Sequence, residues 1–258
     1  MKNTVSLAIE KGIATITLDR PEQGNTIDLP MAHALLEAAL RCHEDDTVRC
    51  VVITGRGKLF CGGGDIGSFA QAGDSIESFL SELAAVLHRA ILLLLRMKKP
   101  LVTLVNGAAA GAGLSLAIAG DIAIAARSAT FTAAYGALGL SPDGGMSWRL
   151  PRLVGMRLAQ DIILTNRRVT SEEAAAIGLI SRVVEDDALA AAGAKVAAEL
   201  AASSTAALGA ARNLLLDSFE TPLEAQLERE ARSIASLGRS AETRASVAAF
   251  LERRKIKN

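Results

Sequence analysis

The chain has 258 residues, 50% of them hydrophobic and 22% charged, and its 28 basic and 28 acidic side chains cancel. That composition belongs to a globular protein with a sizeable core; zero net charge and 3% aromatics offer nucleic acid neither an electrostatic footprint nor stacking platforms. Cys42, Cys50 and Cys61 are odd in number and lack CxxC spacing, which fits a reducing compartment, while His33, His43 and His88 form no ligand-spaced cluster, so no metal site is expected.

The opening "MKNTVSLAIEKG" lacks the basic and apolar regions of a signal peptide. Two β-prone runs about its Lys-Gly predict a hairpin. After "RPEQGNTID", the apolar spacing of "LPMAHALLEAALRCHEDD" predicts a helix, and "VRCVVITG" is a β-branched run of the kind buried on both faces of a parallel sheet. A glycine loop, "GRGKLFCGGGD", precedes a long helical segment at about 75 to 98. Its greasiest part, "AILLLLRMKKP", is too short to span a bilayer and ends in charge, so a cytoplasmic protein with no membrane partner is expected. "PLVTLVNG" is a second buried-type strand, "AAAGAGLSLAIAGD" a loop entering a small-residue helix, and "IAIAARSATFTA" further strand. Buried strands alternating with helices predict an α/β fold with parallel strands. From about 186 the chain turns Ala-rich, charged and helical, which divides it into a core over 1–190 and a helical region over 191–258.

Two glycine-rich loops follow buried strands, "FCGGGD" at 60 to 65 and "NGAAAGAGLSL" at 106 to 116. Glycines let backbone approach a ligand, and the second loop opens a helix whose first N–H groups are free. Two such amides converging on one point would form an oxyanion hole; plain turns and phosphate cradles use the same residues, although neither loop matches a P-loop or dinucleotide fingerprint. "GLSPDGGMSW" at 139 to 148 has the chemistry of a turn, and Asp143 within it is either a turn residue or a reacting carboxylate.

Taken together, "LDRPEQGNTID", "LFCGGGDI", "VNGAAAGAGLSLAIAGDIAIAA", "GLSPDGGMSWRLPRLVG" and "RRVTSEEAAAIGLISRVVE" resemble, in order and spacing over about residues 5 to 185, the crotonase (enoyl-CoA hydratase/isomerase) superfamily. The resemblance implies a ββα superhelix with C-terminal helices that pack across subunits, as a homotrimer or dimer of trimers. It also implies an acyl-CoA thioester as substrate, coenzyme A being part of that substrate and no prosthetic group being needed. Carried over, the oxyanion amides are those of Gly62 and Ala112. The coenzyme A candidates are Gln23, Asn25, Thr26 and Ile27, with Gly64, Asp65 and Ile66 along the pantetheine arm. Asp65 also reads as a helix cap, the favoured role, and Asp121 as a structural cap or turn residue. Basic residues of the terminal "LERRKIKN" could meet coenzyme A phosphates or be ordinary surface charge.

The chain departs from the family's hydratases at both glutamates, where it has Ser115 and Tyr135. Hydration suits two carboxylates; a double-bond shift needs one base, and Asp143 is the carboxylate in the right motif. The wording of the motifs is closer to the isomerase branch of phenylacetate breakdown, in which this Asp is the acid/base; in a dehalogenase branch it is a nucleophile. The expectation is an enoyl-CoA isomerase with Asp143 as acid/base in an apolar setting made by Leu140, Met146 and Trp148. A hydratase and a non-catalytic acyl-CoA-binding homologue stand as alternatives. Tyr135 is read as a pocket donor or a space filler, Ser115 as permissive, Cys61 as a buried hydrophobe, and His88 as packing or surface.

Overall fold

The computed structural model describes residues 4–255, with side chains to residue 253. Strands β1 (Val5–Glu10) and β2 (Ile13–Leu18) form the expected antiparallel hairpin, turning through Lys11 and Gly12, both at positive φ. Helix α1 (Leu29–Glu44) is capped by the Asp28 carboxylate, which accepts from Met31 N–H at 2.9 Å. Its far end is closed by Lys99, whose Nζ donates to the carbonyls of Cys42, His43 and Asp45. Strand β3 (Cys50–Gly55) is followed by a short α2 (Ile66–Ala72), a bend at Gly73 and the long α3 (Ile76–Arg96). From residue 66 to 96 the chain is long and apolar enough to cross a membrane; here the apolar side of α3, including Leu83, Leu87, Ala90 and Leu94, is buried in the core.

Strand β4 (Leu101–Val105), the two-residue β5 (Ala109–Ala110) and α4 (Ala112–Ala117) come next, then β6 (Ile122–Ala126) and β7 (Thr130–Thr132). Helices α5 (Met146–Val154) and α6 (Met156–Thr165), strand β8 (Val169–Thr170), α7 (Ser171–Ala176) and β9 (Arg182–Val184) complete the αβ part. The main sheet runs β1-β2-β3-β4-β6-β9, parallel from β2 onward, and β5-β7-β8 form a second sheet. The further strand expected from "IAIAARSATFTA" is two strands, β6 and β7, one in each sheet.

Helices α8 (Leu189–Ala202), α9 (Thr205–Asp217), α10 (Leu223–Gly238) and α11 (Ala241–Lys255) follow, with no further strand among the described residues. The division expected at residue 190 falls inside α8, and α8 belongs with the core. It lies on β2, β3, β4 and β6 with Gly193, Val196 and Ala197 buried. Arg212 of α9 is also buried, donating to the carbonyls of Leu94, Met97 and Lys99 and pairing with Asp121 at 2.5 Å. The segment that stands off begins later: α10 packs on α9 and α11 on α10. Of the basic terminal stretch, residues 256–258 lie outside the described residues.

β2, β3 and β4 are parallel neighbours, so the loops that follow them leave the sheet at one end. Those loops, about residues 19–28, 56–65 and 106–111, carry the motifs singled out in the sequence, and ligands of parallel sheets gather at such an end.

Candidate active site

The two glycine loops touch through backbone. Cys61 and Ala109 form a parallel bridge, Ala110 N–H donates to Cys61 O at 3.0 Å, and Cys61 N–H donates to Ala108 O at 3.2 Å. Gly63, at φ +94°, has no room for a side chain, since a Cβ there would sit 2.7 Å from Ala110 O. The first loop is also tied to residue 27: Ile27 N–H donates to Gly63 O at 2.7 Å and Asp65 N–H to Ile27 O at 3.0 Å.

These two bonds make a second parallel bridge, between Ile27 and Gly64, and it decides which amide is available. In a parallel bridge the residues flanking the partner make the bonds, so the N–H of Gly64 itself faces the other way. Among the described residues it has no acceptor, and neither has Ala112 N–H at the first position of α4. The Gly62 amide, expected as a donor, is spent on Gly24 O at 2.9 Å. The expectation is therefore corrected by two residues: the free pair is Gly64 and Ala112, both in the wall of one cavity of about 220 Å³.

Leu80, Leu83, Ala84 and Leu87 of α3 line that cavity together with Phe69, Leu138 and Leu140. The apolar setting expected from Leu140, Met146 and Trp148 comes from Leu140 alone of those three. Met146 is fully buried in the core, and the Trp148 indole donates to Glu220 at 3.2 Å beneath the Arg152 guanidinium.

Asp143 reaches the same cavity and is its sole carboxylate among the described residues. Its turn is also a turn in the ordinary sense: Met146 N–H donates to Asp143 O at 3.1 Å across Gly144 (φ +60°) and Gly145 (φ +80°). Ser115 Oγ donates to the same carbonyl at 2.9 Å, which ties the turn to α4. Tyr135 Oη donates to Asp143 Oδ1 at 2.5 Å and lies 3.5 Å from Ser115 Oγ. Burial and the adjacent Asp143 charge push the Tyr135 phenol well above its ordinary range, so it is held as a donor.

His88 of α3, read from sequence as packing or surface, stands beside this group. Gly144 N–H donates to His88 Nε2 at 3.0 Å, and the same nitrogen lies 3.6 Å from Asp143 Oδ2. No local pattern on an apolar helix announces such a contact; only the fold brings α3 against the turn.

The remaining candidates divide by what their side chains touch. Asn25, fully buried at φ +54°, accepts from Arg20 N–H and donates to the carbonyls of Arg56, Leu59 and Phe60, so its amide knits two loops together. Thr26 Oγ1 donates to Asp65 Oδ2 at 3.1 Å. Asp65 caps α2 by accepting from Ser68 N–H at 2.9 Å and pairs with Arg20. Burial would raise the Asp65 carboxyl, but those bonds hold it below its ordinary value. Gln23 is exposed and accepts from Arg20 Nε, while Ile27 and Ile66 line the cavity. Cys61 is buried, gives its thiol proton to Asn25 O and is pushed up to about 12 by burial, an inert thiol. Asp121 is structural, accepting from Leu101 N–H and from Arg212.

Residues 8–258 match the family model for enoyl-CoA hydratase/isomerase. The chain is 42% identical to the Probable enoyl-CoA hydratase of Rhodobacter capsulatus, over 98% of this chain and 96% of that one. It is 38% identical to the 1,2-epoxyphenylacetyl-CoA isomerase of Escherichia coli, over 95% and 94%. Among solved structures, an enoyl-CoA hydratase from Polaromonas superposes with a TM-score of 0.92 at 30% identity, over 96% of this chain and 97% of that one. The chain belongs to the enoyl-CoA hydratase/isomerase family, the crotonase superfamily, and has its fold.

Proposed function

We propose that this protein is an enoyl-CoA isomerase that moves a double bond along an acyl-CoA thioester. The thioester oxygen takes the Gly64 and Ala112 amides, the acyl chain lies against Phe69, Leu83 and Leu87, and coenzyme A leaves past Ile27 and Ile66. Asp143 Oδ2 removes a proton next to the carbonyl, and the charge passes to the thioester oxygen as an enolate. The same oxygen of Asp143 then returns the proton at the far end of the conjugated system. Each main-chain donor contributes about 3 kcal/mol to such a charge. The two amides and the thioester supply what the reaction needs, with no prosthetic group called for.

The carrying observation is the single carboxylate: Asp143 is alone in the cavity wall, with Oδ1 engaged by Tyr135 and Oδ2 free of that bond. Hydration needs one group to activate water and another to protonate carbon. Ser115 has no charge to give, and Tyr135 holds its proton. Three free, buried cysteines support a reducing, cytoplasmic setting, and exposed apolar residues on α10 and α11 support assembly into trimers.

The test is incubation with trans-3-hexenoyl-CoA and trans-2-hexenoyl-CoA in deuterated water. Isomerisation or exchange next to the carbonyl, lost in Asp143→Asn by about 10²-fold or more, is the expected result. Net hydration that survives Asp143→Asn would overturn it. Binding without any turnover would point to a non-catalytic acyl-CoA-binding protein.

A further inference from the structure

We propose that His88 is the proton exit of Asp143, the group through which a proton taken from substrate reaches water. This rests on Asp143 acting as the acid/base. Oδ1 is closed by Tyr135 at 2.5 Å, which leaves Oδ2 as the oxygen that carries the abstracted proton. The polar atom facing Oδ2 is His88 Nε2 at 3.6 Å. Because Nε2 accepts the Gly144 N–H at 3.0 Å, it presents a lone pair, and the neutral ring carries its hydrogen on Nδ1.

Two acceptors therefore face each other with no hydrogen between them, and 3.6 Å is too long for a hydrogen bond. Placing one proton on Oδ2 changes this, since its O–H is then a donor that competes with Gly144 N–H for the one lone pair of Nε2. The proton then has two routes. It can return to the substrate, which completes the double-bond shift, or pass to Nε2. In the second route the O–H bond of Asp143 breaks, an N–H bond forms on His88, and Gly144 N–H loses its acceptor. The carboxylate is restored beside an imidazolium.

His88 is suited to the next step by its position. Its side chain is 47% exposed against 31% for Asp143, and its hydrogen bond among the described residues is made at Nε2, which leaves Nδ1 to water. The imidazolium can swing clear of the turn and give the transferred proton to water, after which the neutral ring closes again on Gly144. The cavity side of Asp143 is the side that an acyl chain covers, so His88 supplies the way out on its other side. The balance between return and exit sets how much substrate hydrogen survives in the product.

The measurement is deuterium content per product molecule, by mass spectrometry at low conversion of trans-3-hexenoyl-CoA in deuterated water. It compares the full chain with His88→Gln and His88→Ala. Gln offers an oxygen to Gly144 N–H but no exchanging imidazole; Ala offers neither. Solvent deuterium in the product should fall about three-fold or more in both variants, with His88→Gln keeping the Tm of the parent protein. A purely structural His88 would leave deuterium content unchanged in His88→Gln, which overturns the inference, as does a parent enzyme that retains all substrate hydrogen. Exchange persisting in Asp143→Asn would instead remove Asp143 as the base and the inference with it.

Discussion

The phenol of Tyr135 and the carboxylate of Asp143 are joined by a 2.5 Å hydrogen bond at the edge of an apolar cavity. The pairing keeps the proton on the phenol: the buried Tyr135 cannot ionise beside the Asp143 charge. Tyr135 is the single tyrosine of the chain and so a clean reporter. Its phenol is raised above the ordinary value of 10.0, chiefly by burial and then by the Asp143 charge. The folded state binds this proton more tightly than the unfolded one. The resulting stability is complete below pH about 10 and is lost as pH rises beyond it. In an alkaline titration, tyrosinate absorbance should therefore appear together with loss of far-ultraviolet circular dichroism. A tyrosinate signal near pH 10 in a chain still folded would show that the phenol is not held in this pair.

Ala112 allows a donor to be deleted with little damage to the fold. It is the first residue of α4, a position where proline is tolerated because its missing N–H has no helical partner. The Ala112→Pro variant should keep its thermal midpoint and lose about 10²- to 10³-fold in kcat. A variant of normal Tm and normal kcat would show that this amide does not meet developing charge. The same logic marks Gly62 as a structural donor: its N–H is already bound to Gly24 O, so its loss should show first as loss of stability.

Gly144 serves the turn and the site at once. It sits at φ +60°, and a Cβ there would lie 2.8 Å from Ser115 Cβ and 3.2 Å from Ile91 Cδ1. Strain and overlap together should destabilise Gly144→Ala by about 1–3 kcal/mol. The change should also misplace Asp143. Adding Ser115→Gly removes the nearest obstacle and should recover part of the loss in a denaturant titration. Equal stability of the single and double variants would mean that Ser115 is not what Gly144 makes room for.

How much of this was legible from sequence follows from the range of the interactions. The opening hairpin, the buried runs of β3 and β4 and the long α3 are local, and their residues announce them. Asp65 as a cap is local as well, visible as an acid just before a helix. The choice between Gly62 and Gly64 is not local, because it depends on the bridge that Gly64 makes with Ile27. Three adjacent glycines look alike until that partner fixes which N–H turns inward. His88 escapes for the same reason, since its partners Asp143 and Gly144 belong to a distant turn. Trp148 misleads because sequence proximity to Asp143 says nothing about which side of α5 it takes; the structure turns it to Arg152 and Glu220.

The last prediction concerns the helices that stand off the core. On α10, Leu223, Leu227 and Ile234 recur at helical spacing and are 68%, 55% and 74% exposed; Val247 of α11 is 55% exposed. An apolar stripe on an otherwise polar helix is left in water only at a cost, and a second copy of the chain is the simplest cover for it. The protein should therefore run on light scattering as an assembly of more than one chain. Leu227→Glu combined with Ile234→Glu should shift it toward monomer, while the monomer retains its far-ultraviolet spectrum because neither side chain is in the core. A parent protein that is monomeric at micromolar concentration would show that the stripe is not covered by its own kind.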